Sequence, residues 1–148
     1  QLAGFAAVKP GANFLDINRA SQRVLAQGLA DMGVLTVSAE ESMKPEVGLH
    51  RRWTLHGVSH HLGIDVHDCE HARQEMYRDG ILREGMVLTV EPGLYIQPDD
   101  ELFAPEYRGI GIRIEDDVVV TADGCRNLSE DIPRHPDAVE AWMASILS

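Results

Sequence analysis

The run Met86-Val87-Leu88-Thr89-Val90 is apolar and β-branched, and it stops abruptly at Glu91-Pro92-Gly93. Such a run predicts a buried strand closed by turn residues, since β-branched side chains suit the pleat and proline cannot donate to a ladder. Glu91 therefore stands at the end of a buried strand, where an ionised carboxylate is costly unless it is paired, hydrogen-bonded or bound to a cation. A second carboxylate has the same problem. From Gly109 to Val120 the isoleucines alternate with Gly111, Arg113 and Glu115. A period of two places Arg113 and Glu115 on one strand face. A salt-bridged sheet surface is the plain alternative for these glutamates, and Asp116 and Asp117 read as solvated or turn-forming.

Around these strands the pattern predicts helices. Ala20, Val24, Leu25, Leu29 and Met32 recur at helical spacing, with Asn13 or Asp16 as N-cap candidates and Gly33 following Met32 as a stop. Gly28 inside that helix costs about 1 kcal/mol relative to alanine. Ser38-Ala39-Glu40-Glu41 has the form of a capping box, so a short helix should start there and end by Pro45. Trp53-Thr54-Leu55 reads as a brief extended entry, His71 to Glu84 as a polar surface loop, and Leu94-Tyr95-Ile96 as a continuation of the sheet. Pro136 suits a first helical turn, and Val139, Trp142, Met143, Ile146 and Leu147 define an amphipathic C-terminal helix. Helices flanking a mostly antiparallel sheet give an α+β class in one domain, residues 1–148.

The segment His56 to Asp68, HGVSHHLGIDVHD, holds four of the seven histidines. Imidazole beside carboxylate suits manganese, zinc, cobalt or iron, whereas an all-oxygen set would suit magnesium or calcium. His56 and His60 are four apart, as in a zincin helix, but Gly57 occupies the position where that motif needs its general base. The zincin reading fails there.

Bulk properties narrow the classes. Against 24 acidic residues there are 13 basic ones, a formal charge of -11, which leaves no basic footprint for nucleic acid. No apolar run approaches the roughly 18 residues of a membrane span, so no membrane partner is expected. Cys69 and Cys125 form no CxxC pair and predict small filler residues in a reducing, cytoplasmic protein.

In combination and order, HGVSHHLGIDVHD, GMVLTVEPGLYI and YRGIGIRIEDDVVVT resemble the C-terminal half of the catalytic domain of the aminopeptidase P family, among the pita-bread metallopeptidases. The resemblance covers nearly the whole chain. It implies a partial pita-bread fold, a curved antiparallel sheet backed by helices, and a pair of divalent ions, manganese foremost, held by two aspartates, one histidine and two glutamates. It places the histidine ligand at His60, with His61 a bystander, and the glutamate ligands at Glu91 and Glu115. Catalytic support falls on His56, His67 and Arg113, with Tyr95 lining the pocket. The implied activity is removal of the first residue from peptides with proline second, by a protein that forms homo-oligomers. The aspartate ligands lie upstream of the matched segment in that family, so this chain alone is expected to bind metal weakly and to be inactive. The loop from Cys69 to Gly80 departs from the family's shorter, glycine-containing stretch, which puts substrate access at that rim in question. Prolidase-like hydrolysis of dipeptides, or a pita-bread module that binds peptides without turnover, are the alternative readings.

Overall fold

The computed structural model describes residues 1–147. Its elements are α1 (Leu2–Ala7), α2 (Leu15–Asp31), α3 (Ala39–Ser42), β1 (Val87–Val90), β2 (Gly93–Tyr95), β3 (Gly111–Arg113), β4 (Asp116–Val120), β5 (Cys125–Asn127) and α4 (Pro136–Leu147). The α+β expectation holds, with every strand pairing antiparallel.

β1 is the buried strand that its composition predicts: Leu88 and Val90 are fully buried, facing Val118 and Asp116 of β4 in register. Its other edge is taken by the histidine segment. Leu62 N–H donates to Val87 O at 3.0 Å, Thr89 N–H to His60 O at 3.0 Å and Glu91 N–H to Val58 O at 2.8 Å. The chain from 58 to 62 thus runs beside β1 as a further, irregular strand, and this brings a histidine beside a glutamate 31 positions later in sequence, His60 to Glu91.

The sheet does not run on through Pro92. β1, β4 and β5 form one sheet, and β2 with β3 a second. Val90 pairs with Asp116 in the first and Gly93 with Arg113 in the second, so Glu91, Pro92, Ile114 and Glu115 make a joint outside both ladders, crossed by Ile114 N–H donating to Pro92 O at 3.3 Å. Proline has no N–H for the ladder, which is a sufficient cause for the break on one side. The expectation of a continuous alternating strand through Glu115 is corrected accordingly. Ile110 and Ile112 are exposed rather than buried, and it is Asp116 that lies inside, 3% exposed.

Helix α2 begins without a side-chain cap from its N-cap residue, Phe14; Asn13 instead accepts from Leu15 N–H at 3.0 Å. At its end Gly33 N–H donates to Ala30 O and Val34 N–H to Leu29 O. With Gly33 at φ +74° this is a Schellman stop, a conformation in which glycine carries no Cβ penalty. The buried face comprises Ile17, Ser21, Gln22, Ala26 and Leu29, whereas Val24 and Met32 face outward. The predicted apolar stripe is therefore rotated, because α1 and α3 pack on α2 and select the face. Ser38 caps α3 as predicted, accepting from Glu41 N–H at 3.1 Å.

Two cores result. One joins Val8, Phe14, Ile17, Val58 and Leu82 to β1 and β4; the other gathers Leu29, Leu35, Trp53, Ile96 and Phe103. Trp53 closes a short 3-10 turn, Leu49–Arg52, instead of starting an extended stretch, and Leu82 is an anchor inside the predicted surface loop. Cys125 packs against the first core as a filler, but Cys69 is exposed at φ +58° and fills nothing. The helix predicted over the C-terminus forms, with Trp142, Met143, Ile146 and Leu147 exposed. Among the described residues, no helix is long and apolar enough to cross a membrane.

Candidate metal centre

Glu91 leaves the end of β1 and is 7% exposed. Its carboxylate accepts from Thr89 Oγ at 3.3 Å, and Thr89 Oγ in turn accepts from His60 N–H at 3.1 Å. This threonine ties the strand bearing the glutamate to the segment bearing the histidine. Nothing in the sequence singled it out beyond its place among apolar neighbours.

His60 Nδ1 lies 3.0 Å from the carbonyl of His61. A carbonyl only accepts, so Nδ1 carries the proton and the lone pair of the neutral ring sits on Nε2. That nitrogen faces Glu91 Oε1 at 3.2 Å. Glu115 joins them from the joint beyond β3, and one ligand atom from each of His60, Glu91 and Glu115 lies within 4.8 Å of the others. Burial and the charge of Glu91 push the Glu115 carboxyl above its ordinary pKa. A lone pair and two carboxylates converging in this way form a set that could hold a cation. The donor set, one imidazole nitrogen and two carboxylates, fits a borderline divalent cation.

The structure also brings the residues predicted beside these candidate ligands close to them. His56 Nδ1 donates to Gly57 O at 2.7 Å, which leaves Nε2 to accept from Tyr95 O–H at 2.7 Å. Arg113 Nε donates to the same hydroxyl oxygen at 2.7 Å, and its Nη1 is 3.6 Å from Glu91 Oε2. Hydrogen bonding to Tyr95 holds the Arg113 guanidinium above its usual pKa. Tyr95 thus links a histidine to an arginine across β2 and β3. His67 meets the His60 ring edge-on, centroids 4.4 Å apart. His61 packs on Phe14, stacked, and on Tyr77, edge-on, and burial lowers its pKa.

His56, His60, His67, Glu91 and Arg113 line an open cleft of about 1220 Å³ that is also lined by Asn18, Gln22, His50 and Arg78. A cleft lined by several convergent titratable groups is a candidate ligand-binding or active site.

The chain belongs to metallopeptidase family M24, whose model matches residues 1–122. Within that class it is similar to the Xaa-Pro aminopeptidases: it is 60% identical over 146 residues to Xaa-Pro aminopeptidase 1 of Streptomyces coelicolor, a match covering 99% of this chain and 29% of that protein. The structure of Pseudomonas aeruginosa aminopeptidase PepP superposes with a TM-score of 0.87 at 39% identity, over 97% of this chain and 32% of that one. Zinc-substituted E. coli aminopeptidase P in complex with product gives a TM-score of 0.86 at 42% identity, over 96% of this chain and 31% of that one. The fold is accordingly part of the pita-bread fold of aminopeptidase P, and the chain spans under a third of the length of these relatives.

Proposed function

We propose that this chain is the C-terminal part of the catalytic domain of a metal-dependent Xaa-Pro aminopeptidase, which releases the first residue of peptides with proline second. The convergence of His60 Nε2, Glu91 and Glu115 beside the Arg113–Tyr95–His56 chain carries the reading. The high identity to Xaa-Pro aminopeptidase 1 supports it.

In this reading the three residues are part of a ligand set for two divalent ions, completed from elsewhere in the polypeptide, with manganese the foremost candidate and zinc, cobalt or iron compatible with the donors. Bound there, such ions supply Lewis-acid activation of a water and of the scissile carbonyl. The remaining work belongs to side chains. His60 is held in one tautomer by the His61 carbonyl, so its ligand nitrogen needs no reorganisation. Arg113 keeps positive charge beside Glu91 and steers Tyr95. Glu91, buried beside His60, would be the base that takes a proton from the attacking water and returns it to the departing nitrogen. His56 and His67 line the cleft: His67 donates toward the developing oxyanion, and His56, its Nδ1–H held by Gly57 O and its Nε2 by the Tyr95 hydroxyl, orients the peptide. Proline's tertiary amide has no N–H to offer a general peptidase, which is why such bonds need a dedicated site. Cytoplasmic residence and a homo-oligomeric assembly complete the proposal, and the segment by itself is proposed to lack turnover.

The test is hydrolysis of an Xaa-Pro-Xaa tripeptide by the manganese-loaded protein expressed from its gene. Release of the first residue is expected; an intact tripeptide alongside a cleaved Xaa-Pro dipeptide would place the activity with prolidase instead. Glu115→Ala should abolish turnover and leave the fold standing, since Glu115 is exposed and outside both cores.

A further inference from the structure

We propose that the side chains of Gln1 and Asp116 form a clamp that sets the spacing between Glu91 and Glu115, and so act as positioning residues for the ion. The proposal rests on reading those glutamates as metal ligands. Gln1 Nε2 lies 3.2 Å from Val90 O, 3.4 Å from Ile114 O and 2.8 Å from Asp116 Oδ2. The two carbonyls belong to the peptide groups that lead into Glu91 and Glu115. A peptide group is planar from one Cα to the next, so holding its oxygen also restrains the Cα that follows. A single amide therefore restrains the origins of both carboxylates.

The position matters because this is where the ladder fails. Glu91 and Glu115 stand in the joint between the two sheets, outside both ladders, where the backbone bond from Ile114 N–H to Pro92 O, at 3.3 Å, is a long one. The Gln1 amide reaches both sides of that joint. It is itself oriented by Asp116, the first residue of β4, which is 3% exposed and fully engaged. Asp116 Oδ1 accepts from Ser129 Oγ at 2.8 Å, and Oδ2 faces both Gln1 and Arg134 Nε, the latter at 3.4 Å. Ser129 also accepts from Asp117 N–H at 3.1 Å. A buried carboxylate with a partner on each oxygen is a rigid anchor, because moving it leaves a buried charge unpaired. The chain of contacts runs from Arg134 and Ser129 through Asp116 to Gln1, and from there to the backbone beneath both glutamates.

Gln1→Met keeps the side-chain length and removes the donors; Asp116→Asn keeps the shape and removes the charge. Both should be made in the protein expressed from its gene, with Glu115→Ala beside them, stripped of metal and checked for native circular dichroism. Manganese(II) is then titrated against a competing chelator. Loss of partners that orient metal ligands typically weakens binding by about tenfold or more. We expect that loss for Gln1→Met and for Asp116→Asn, with kcat on an Xaa-Pro tripeptide falling and KM unchanged. Native manganese affinity in Gln1→Met, even with a lower melting temperature, would reduce the contact to a purely structural one and overturn the clamp. Should Asp116→Asn not fold, Gln1→Met decides alone. Native affinity in Glu115→Ala would instead overturn the ligand reading on which the clamp depends.

Discussion

The same substitution, glycine to alanine, should have opposite signs in the two N-terminal helices. In α2, Gly28 is exposed and a Cβ built there meets nothing within 4 Å. Alanine there should stabilise by about 0.5–1 kcal/mol, since glycine loses more backbone freedom on folding and has the poorer helix propensity. In α1, Gly4 is buried, and its Cβ would lie 2.7 Å from Ser21 Oγ and 2.7 Å from Val90 Cγ1. Both contacts are well inside van der Waals range, and neither neighbour has room to retreat: Ser21 is 1% exposed and Val90 is 0% exposed. Overpacking a filled core costs about 1–3 kcal/mol, against about 1 kcal/mol regained from propensity, so Gly4→Ala should lose up to about 2 kcal/mol net. Val90 also precedes Glu91, so the displacement should reach the metal centre. Urea denaturation of both variants, with slopes compared so that only the midpoint is read as stability, measures the effect. A Gly4→Ala protein as stable as Gly28→Ala would refute the close approach of α1 to β1.

Two further outcomes follow from the polar groups around the cleft. Tyr95→Phe removes the hydroxyl shared by His56 and Arg113 while leaving the ring; turnover of an Xaa-Pro tripeptide should fall by about 10–100-fold, as for loss of a partner that orients site residues, and unchanged kcat would deny the link a role. His50 is 3% exposed, bonded through Nδ1 to Ser42, and burial lowers its pKa below the ordinary 6.5. Its neutral form is the one that folds. Once the pH falls below about 6.5 the unfolded state takes up the proton first, so stability should decline from there down to the folded-state pKa. The urea midpoint should drop between pH 7.5 and 5.5, and less so in His50→Gln; equal drops would remove His50 as a cause.

Much of the candidate site was legible in the chain because its proposed ligands sit next to unmistakable local signals. Glu91 follows an apolar β-branched run and precedes proline, and His60 lies in a dense histidine cluster; each stands out without any knowledge of contacts. Glu115 was found by its alternation with isoleucines, yet that physical picture was mistaken. Ile110 and Ile112 are exposed, and Glu115 projects from a break in the sheet. Asp116 went the other way: a carboxylate in an acidic pair reads as solvated, and only Gln1, Ser129 and Arg134 gathered around it make burial tolerable. Three partners spread from position 1 to 134 leave no local trace.

The helical face failed for a related reason. Val24 and Met32 fit the period as well as Ile17 does, and periodicity cannot say which stripe a neighbour will cover; α1 and α3 decided it. What the sequence determined by itself was therefore local: which stretches are helix or strand, where they stop, and which side chains are chemically suited to hold a cation. What only the tertiary structure decided was juxtaposition. The histidine segment lies along the free edge of β1, the ladder parts at Pro92, and one glutamine amide spans the gap. Propensity and spacing act over a few residues, whereas the convergence of a lone pair and two carboxylates depends on contacts between segments far apart in the chain.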